Sequence, residues 1–390
     1  MIRLGIVGGK LQGVEATYLA KKAGYQTVVF DRNPSAPALS LADEAVVMDV
    51  TAEGKKAAAL LADCDAVLPA NEDLDTLVFL ADTFRSMEVP LIFDLNAYQL
   101  SSSKVRSNEF MRQLNLPLPR PWPECGFPVV VKPSGESGSA GVTRATNADE
   151  LIAGKEKVRK MGGEVVVQEF VDGPSISVEV IGNGSDAVPL VTTQIFLDDN
   201  YDCKMVGSPW EAPDKNAEDL ISEAGYRIAM ELGLRGIMDV EAIVCKGIPR
   251  VLEIDARIPS QTPIAVLHSH DINMVKMLVD MSVNDRLDPP RRDGKRTAFY
   301  EHVAVDDGVI RSCGEGVFAE VRRPTIVPGL FGADEVISDY EPGKRSWRAT
   351  IITTGRTAKA ARLKREKVMN NIITAEGLTK YLDPRPEGYA

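Results

Sequence analysis

Residues 236–261 read GIMDVEAIVCKGIPRVLEIDARIPSQ, two apolar runs joined by the short segment KGIP. Asp239 and Glu241 are two residues apart in the first run, and Glu253 and Asp255 repeat this spacing in the second. On a β-strand, side chains two residues apart point to the same face. The stretch therefore predicts two strands that each place two carboxylates on one face.

The glycine between the two runs determines how their acidic residues would meet. A tight turn centred on Gly247 places Glu241 opposite Glu253, and Asp239 opposite Asp255. Directly opposed residues have Cβ atoms about 5 Å apart, so like charges there destabilise the pair. The pattern therefore predicts a carboxylate face that needs a cation.

Magnesium suits this face better than the basic residues that the sequence supplies. The nearby Arg257 carries one charge against four carboxylates. Oxygen ligands without His or Cys favour Mg2+ over Zn2+, and substrate phosphates usually complete the coordination of Mg2+. The segment thus predicts a binding site for a nucleotide with Mg2+. These residues alone leave open the alternative of an edge hairpin whose acidic face is only solvated.

Length and composition narrow the class of protein. With 390 residues, two or three domains are expected, and a net charge of −11 argues against nonspecific nucleic-acid binding. No apolar run reaches the roughly 18 to 20 residues of a membrane helix, and the start MIRLGIVGGK is not typical of a targeting peptide. Five cysteines without a CxxC pair indicate reduced thiols. We therefore expect a cytoplasmic protein with small-molecule partners, no nucleic acid and no membrane, and a homo-oligomer is left open.

The first 98 residues alternate between short apolar runs and helical patterns. This alternation predicts a doubly wound parallel sheet in a domain of residues 1–98, with ligands at the carboxyl ends of its strands. The apolar runs are 4–7, 27–30, 45–47, 66–69 and 91–93, and the helical patterns include 12–23, 57–62 and 74–86.

The glycine loop after the first run departs from the dinucleotide-binding fingerprint. Lys10 stands where G-x-G-x-x-G needs its second glycine, so a pyrophosphate could not lie close to that backbone. We interpret the loop as part of a substrate pocket, with Lys10, Gln12 and Glu72 as its polar groups. The alternative for each residue is a glycine turn with solvated neighbours.

A proline-rich connector after the helical pattern 104–114 marks a domain boundary. The next apolar run ends in Lys132 and enters a loop of glycine and serine at 133–142. Such a loop can fold backbone N–H groups around phosphate oxygens, beside the point charge of Lys132. Its spacing is not that of a Walker loop, and a flexible linker is the alternative.

A further apolar run at 165–173 follows this loop. Gln168 and Glu169 could supply backbone groups for the edge of an adenine and an acid for a ribose. The same residues taken alone would be an ordinary hairpin.

The order of these features resembles that of the ATP-grasp ligases over roughly residues 1–300. The shared features are a sheet domain, Lys104, Lys132 with its Gly/Ser loop, QEFV at 168–171, and acidic strands that end in EIDARIPS. The resemblance implies an ATP-grasp fold, α/β overall, with a lid subdomain at 99–171 and an antiparallel catalytic domain at 172–390. It also implies that ATP and Mg2+ form an acyl phosphate, which an amine then captures.

Carried over residue by residue, the resemblance implies three groups of site residues. The ATP-binding residues are Lys104, Lys132, Ser134, Ser137, Gln168, Glu169, Phe170 and Val171. The magnesium ligands are Glu241, Glu253 and Asp255. Arg257 and Lys132 would stabilise charge on the transferred phosphate, and the loop at 134–141 would close as a lid.

Two positions depart from the family pattern. GPS at 173–175 replaces the usual GPE, so the ribose contact is left open and Asp172 is the substitute. Asp239 is additional to the usual metal ligands. With Ser177 and Glu179 it is expected to bind a cationic amino group of the substrate.

Longer strings resemble a narrower group, the ligases of pyrrolysine biosynthesis. These strings are VGGKLQG, YLAKKAGYQ, LADE, YDCKMV, RGIMDVEAI, EIDARIPSQTP and YEH, between residues 7 and 302. The resemblance implies that 3-methyl-D-ornithine is activated and joined to the ε-amine of L-lysine. It places lysine at Leu11, Gln12 and Glu72, and the further substrate-binding residues are Lys10, Arg257 and Ser260.

Three alternatives remain at this point. A related carboxylate-amine ligase could use another amino acid pair, since one methyl group changes binding by only about 1 to 3 kcal/mol. A nicotinamide-dependent oxidoreductase is suggested by the glycine loop and Asp31, although the broken fingerprint counts against it. The third alternative is a nucleotide sensor without catalytic activity. No motif indicates a role for the last 85 or so residues.

Overall fold

The strands form three sheets that follow one another along the chain. The computed structural model describes residues 1–213, 215–290 and 296–386. In this part of the chain the sheets have four, three and twelve strands, and helices pack on their faces. The first sheet is parallel and the largest is mainly antiparallel, so the predicted α/β class is confirmed.

The N-terminal sheet matches the alternating pattern of the first 98 residues. Its elements are β1 (Arg3–Val7), α1 (Leu11–Lys22), β2 (Gln26–Asp31), β3 (Glu44–Val47), α2 (Gly54–Ala62), β4 (Ala66–Pro69) and α3 (Leu74–Phe84), with a 3-10 turn at Pro37–Ser40. The strands pair in parallel in the order β3-β2-β1-β4. Leu4, Ile6, Val28 and Val29 are buried because the central strands are covered on both faces.

The fifth predicted strand, at 91–93, is only a single bridge. Leu91 pairs with Val67 in parallel, and no further pair follows in the described chain. The chain turns at once into α4 (Leu95–Ser101), where the Asp94 side chain accepts a hydrogen bond from the backbone N–H of Ala97. The helix cap therefore ends the ladder after one pair.

A small antiparallel sheet lies in the middle of the sequence. After α5 (Lys104–Gln113), its elements are β5 (Val129–Pro133), β6 (Thr143–Ala145), α6 (Ala148–Lys160) and β7 (Val165–Glu169). The strand order is β6-β5-β7, and α6 packs Leu151 and Val158 against Val129 and Val131. The Gly/Ser loop thus connects two paired strands.

The large sheet and its helices contain the rest of the described chain. The first elements are β8 (Ser175–Asn183), β9 (Ala187–Pro189), β10 (Thr193–Leu197), β11 (Cys203–Ser208), α7 (Lys215–Leu232), β12 (Arg235–Cys245) and β13 (Ile248–Asp255). The later ones are α8 (Thr262–His270), α9 (Met274–Asn284), β14 (Thr297–Asp306), β15 (Val309–Ser312), α10 (Glu315–Phe318), β16 (Thr325–Pro328), β17 (Glu335–Ser338), β18 (Trp347–Gly355), α11 (Ala358–Glu376) and β19 (Lys380–Leu382), with a 3-10 turn at Leu330–Gly332.

The predicted acidic hairpin is one edge of this sheet. The main strand path is β13-β12-β8-β10-β11-β14-β18-β17-β16. Helix α7 packs Ile221 and Ile228 on the face that carries Ile176, Val178 and Val240. Alternate residues of β8 and β12 point the other way, so the acidic residues face away from α7.

Helix α1 joins the N-terminal sheet to the large one. It packs against α8 and α9, with Val14 and Leu19 in the same core as Ile264 and Val275. This packing brings the carboxyl ends of the N-terminal strands beside the acidic face of the hairpin. The division of the chain at residues 98 and 171 stays a prediction. Within the described ranges, none of the helices is long and apolar enough to cross a membrane.

Candidate active site

A β-bulge sets the register of the acidic hairpin. Lys246 and Gly247 form a two-residue turn with φ values of 51° and 77°, and Cys245 pairs with Ile248. That turn alone would pair the strands one residue out of step and place the acidic residues of β13 on the opposite face. The extra residue, Leu252, is a bulge that shifts the register by one.

The bulge brings four carboxylates onto one face. Asp239 pairs with Asp255 and Glu241 with Glu253, so the predicted pairing is confirmed, although the turn is not centred on its glycine. Burial and the neighbouring Glu253 and Asp255 carboxylates raise the pKa of Glu241 to about 8. Burial also raises the pKa of Asp255 to about 6. The face therefore holds carboxylates whose charge is unfavourable in this buried position.

Strand β8 extends the acidic face by one more strand. Glu179 pairs with Asp239, and the Ser177 hydroxyl donates to Glu179 Oε1 over 3.2 Å. Within the described residues, Glu179 Oε2 and Asp239 Oδ1 have no hydrogen-bond partner although both are buried. Burial raises the pKa of Glu179 to about 7 and that of Asp239 well above its usual value. The structure thus brings together Ser177, Glu179 and Asp239, as predicted. The two buried oxygens without a hydrogen bond could accept one from a cationic group of a ligand.

Two lysines compensate one of the hairpin carboxylates. Lys104 Nζ lies 2.9 Å from Glu253 Oε2 and donates to the carbonyl of Glu136 over 2.7 Å. Burial would raise the pKa of Glu253, but Lys104 and Lys132 hold it below its usual value. Burial lowers the pKa of Lys132, and Glu253 opposes that effect. The predicted phosphate ligands therefore converge on a carboxylate that stays ionised.

Arg257 connects the hairpin to the N-terminal sheet. Its guanidinium lies 3.0 Å from Glu72 Oε1, 3.1 Å from Asp255 Oδ2 and 4.0 Å from Asp239 Oδ1. Burial would raise the pKa of Glu72, but Arg257, Ser137 and Gln12 hold it below its usual value. Glu72, predicted to orient lysine, is therefore already paired with the predicted catalytic arginine.

A cavity of about 140 Å³ contains most of the predicted ATP-binding residues. Its walls include Lys104, Lys132, Ser137, Gln168, Glu169, Phe170, Val171, Glu241 and Glu253. Ile195, Leu197, Ile243 and Leu252 form an apolar part of the wall, of the kind that holds an aromatic base. Sequence reasoning missed these four, since their apolar pattern did not distinguish them from core residues.

Three predicted nucleotide residues lie in other surroundings. Ser134 is buried outside the cavity wall, where its hydroxyl accepts the N–H of Val105 over 3.2 Å. The Glu169 carboxylate pairs with Arg120 at 2.9 Å, so only the rest of that residue is available to the cavity. Asp172 is exposed and is not among the residues of the wall.

A larger cavity of about 600 Å³ lies at the carboxyl ends of the N-terminal strands, beside Ser137, Ser260 and Glu315. Its walls contain the predicted substrate residues Lys10, Leu11, Gln12, Glu72 and Ser260. Asp31, Asp49, Glu315 and Ala319 also line it and were not among the predicted site residues. The first two stand at strand ends that the sequence marked, but Glu315 and Ala319 belong to the C-terminal part that matched no motif.

The glycine loop of the N-terminal sheet is held by Asp31. Its Oδ2 atom accepts the N–H of Gly9 over 2.6 Å, and its Oδ1 atom accepts the N–H of Asn33 over 2.7 Å. The carboxylate is therefore engaged by the backbone. It does not favour the nicotinamide alternative, in which this acid would bind a ribose.

The Gly/Ser loop contacts both cavities. The Ser137 hydroxyl lines both and donates to Glu72 Oε2 over 2.6 Å. The Ser139 hydroxyl donates to the carbonyl of Tyr201 over 2.6 Å. The loop therefore covers the junction between the two cavities, as expected for a lid.

The carboxylates of the hairpin are suitable donors for Mg2+. Burial and the neighbouring carboxylates raise the pKa values of Glu241 and Asp255 more than Arg257 and Lys104 lower them. In the described ranges, no three His, Cys, Asp or Glu residues form a group that could hold a metal ion on their own. Phosphate oxygens would therefore have to supply further ligands, which is usual for Mg2+.

Two family models match the chain. Residues 4–92 match the PylC-like N-terminal domain, and residues 101–261 match the ATP-grasp domain. A solved structure with the same fold is the biotin carboxylase domain of 2-oxoglutarate carboxylase from Hydrogenobacter thermophilus, in complex with MgADP, ADP and bicarbonate. It aligns with a TM-score of 0.74 at 18% identity, over 95% of this chain and 90% of that one.

Two curated relatives are similar over most of their length. The 3-methyl-D-ornithine–L-lysine ligase of Methanosarcina mazei is 36% identical over 315 residues, which are 80% of this chain and 81% of the relative. The ligase of the same name from Methanosarcina barkeri is 38% identical over 316 residues, which are 80% of this chain and 83% of the relative. The chain belongs to the family of the 3-methyl-D-ornithine–L-lysine ligases, within the ATP-grasp enzymes.

Proposed function

We propose that the protein uses ATP to activate the carboxylate of 3-methyl-D-ornithine and joins it to the ε-amine of L-lysine. The products would be 3-methyl-D-ornithyl-N6-L-lysine, ADP and phosphate. One observation carries the proposal: Ser137 of the Gly/Ser loop lines both cavities, and the acidic hairpin contacts Lys104 in the smaller one and, through Arg257, Glu72 in the wall of the larger one.

The smaller cavity would hold ATP. Lys104 and Lys132 would bind its phosphates, residues Gln168 to Val171 would contact the adenine, and Ser137 would cover the nucleotide. Mg2+ held by Glu241, Glu253 and Asp255 would neutralise phosphate charge. The two lysines suit phosphate binding because both interact with Glu253 and because burial strengthens their electrostatic interactions.

The activated carboxylate would lie near Arg257. An oxygen of this carboxylate attacks the γ-phosphorus of ATP. The bond from that phosphorus to the β–γ bridging oxygen breaks, and ADP leaves. Arg257 and Lys132 stabilise the charge that develops in this step, and such groups typically contribute about 3 kcal/mol each. The cationic side-chain amine of the ornithine would pair with Glu179 and Asp239, which each have a buried oxygen without a hydrogen bond from the described residues.

The larger cavity would hold L-lysine, with Lys10, Leu11, Gln12, Glu72 and Ser260 in its wall. Glu72 already accepts hydrogen bonds from Gln12, Ser137 and Arg257. We infer that its main task is to align these three groups. The neutral ε-amine attacks the acyl carbon, phosphate leaves, and the amine loses its extra proton.

One incubation tests the reaction and its substrate pair. The protein is supplied with ATP, Mg2+, L-lysine and a panel of ornithines, and product masses and ADP are measured. We expect one ADP for each molecule of ornithyl-lysine, with the 3-methyl-D compound preferred. ADP release that does not depend on both amino acids, or a preference for another pair, would contradict the proposal. Stabilisation by ATP with Mg2+ but not by NAD provides an independent check.

A further inference from the structure

The larger cavity has an acidic wall. Its charged side chains are Asp31, Asp49, Glu72, Asp73 and Glu315 against Lys10 and Arg32. Such an excess of carboxylates favours a cationic ligand. The question is which carboxylate is available to bind it.

Four of these carboxylates are engaged by the protein. Asp31, Asp49 and Asp73 accept hydrogen bonds from backbone N–H groups nearby. Glu72 accepts from three side chains, and Arg257 is one of them. Their charges are therefore partly satisfied before a ligand arrives.

Glu315 differs because it accepts hydrogen bonds from side chains alone, and through only one of its oxygens. Its Oε2 atom accepts from the Ser260 hydroxyl over 2.6 Å and from Gln261 Nε2 over 3.3 Å. No hydrogen bond from the described residues reaches its Oε1 atom, which would lie 3.5 Å from a Cβ on Gly138 of the lid loop. One carboxylate oxygen is thus held in place while the other stays available under the lid.

The backbone around Glu315 is firmly placed. Asp198 accepts the N–H of Gly314 over 3.1 Å, and Asp202 accepts the N–H of Gly316 over 2.9 Å. One turn further on, Phe318 is fully buried. The carboxylate therefore points from a rigid segment, as a binding group should.

Glu315 also acts on the proposed reaction centre. Burial would lower the pKa of Arg257, but Asp255, Glu72, Asp239 and Glu315 raise it well above its usual value. The field of Glu315 therefore reaches the arginine beside which the acyl group would form. An ammonium group bound at Glu315 would lie beside Ser260 and the lid loop, whose Ser137 also contacts Glu72.

We propose that Glu315 binds an ammonium group of the amine substrate and selects a cationic amine. The inference rests on the proposed function and deepens it. Glu315 lies beyond residue 261, where the match to the ATP-grasp domain ends. The C-terminal part of the chain would therefore complete the amine site.

The test compares Glu315→Gln with the matched control Glu320→Gln. Glutamine keeps an acceptor oxygen for Ser260 and removes only the charge, whereas Glu320 is exposed and outside both cavities. We expect Glu315→Gln to raise the KM for lysine about ten- to a hundredfold, with at most a twofold rise for ATP and for methylornithine. The control should stay within twofold for all three.

A second amine separates binding from activation. Hydroxylamine is uncharged at neutral pH and converts an acyl phosphate into a hydroxamate. In Glu315→Gln, the ratio of lysine to hydroxylamine activity should fall about tenfold or more. An unchanged ratio, or an equal rise in all three KM values, would overturn the role of Glu315. Failure of the proposed function would instead show as no hydroxamate from the unaltered protein, and would overturn both.

Discussion

The two cavities that meet at Ser137 of the lid loop are built in different ways. The nucleotide cavity takes its charged residues from short motifs, and Lys104 and Lys132 already compensate Glu253. The larger cavity is assembled from the N-terminal strand ends, the lid loop, Ser260 and Glu315. Its acidic wall has few cations. We infer that the smaller cavity is a preformed phosphate site and that the larger one is a site for a cationic ligand.

The charge balance explains why the two sites respond differently to their ligands. ATP brings negative charge to a place where buried lysines need partners. The amino acids would bring positive charge to Glu179, Asp239 and Glu315, which each have an oxygen without a hydrogen bond from the described residues. In the proposed arrangement, substrates of opposite charge would occupy adjacent halves of one centre.

The largest effect is expected where the two halves meet, at Glu253. Glu253→Gln removes the carboxylate that Lys104 and Lys132 keep ionised, and with it a proposed magnesium ligand. We expect the kcat for ornithine-dependent ADP release to fall a hundredfold or more. Glu156→Gln, an exposed change on α6, is the control. Turnover within tenfold of the unaltered protein at saturating Mg2+ would show that Glu253 is not part of the metal site.

The next effect concerns the ornithine end of the face, at Glu179. Glu179→Gln should raise the KM for methylornithine about tenfold, because a charged hydrogen-bond partner is lost. The same change should relieve the unliganded protein of a buried charge. Ser185→Ala, in the exposed turn between β8 and β9, serves as a control. An unchanged KM for methylornithine would place its amine elsewhere.

The stability of the unliganded protein should report the same group through pH. The pKa of Glu179 is raised from 4.5 to about 7 in the folded state, which therefore keeps a proton that the unfolded chain loses. The stabilisation is complete below pH 4.5 and is lost as pH rises through 7. Urea unfolding between pH 5 and 8 should show the free energy of unfolding falling, by on the order of 1 to 3 kcal/mol from this group. Glu179→Gln should make the curve flatter, and an unchanged slope would refute the assignment.

The hairpin shows how far sequence reasoning reached. Period-2 spacing predicted the acidic pairs, and their partners are as expected. The bulge at Leu252 was not predicted, because nothing in VLEID distinguishes an extra residue from a regular one. A two-residue turn without that bulge would have placed Glu253 and Asp255 on the other face. The predicted pairing therefore depends on a feature that only the folded chain reveals.

The other site residues also fall into those that a local motif predicts and those that only the folded chain brings to the site. Lys104, Lys132 and Gln168 stand in short motifs with local meaning, and they line the nucleotide cavity. Glu315 follows no motif, and it reaches the larger cavity only because Ser260 and the loop around Asp202 hold it there. Such contacts between residues far apart in the sequence cannot be predicted from local sequence patterns. The run at 91–93 failed as a strand for a similar reason, since the neighbouring helix cap ended it.

The smallest effect is expected at the lid, where Ser137 joins the two cavities. Ser137→Ala removes one hydrogen bond to Glu72 from an exposed position and leaves the contact of Ser139 with Tyr201 intact. The lid should therefore open more often, and the fraction of ATP hydrolysed without ornithyl-lysine should rise about two- to fivefold. Phosphate and product are measured together, with Ser35→Ala as an exposed control outside both cavities. If coupling is unchanged while the KM for lysine rises, Ser137 acts on the substrate through Glu72, and the lid closes by its other contacts.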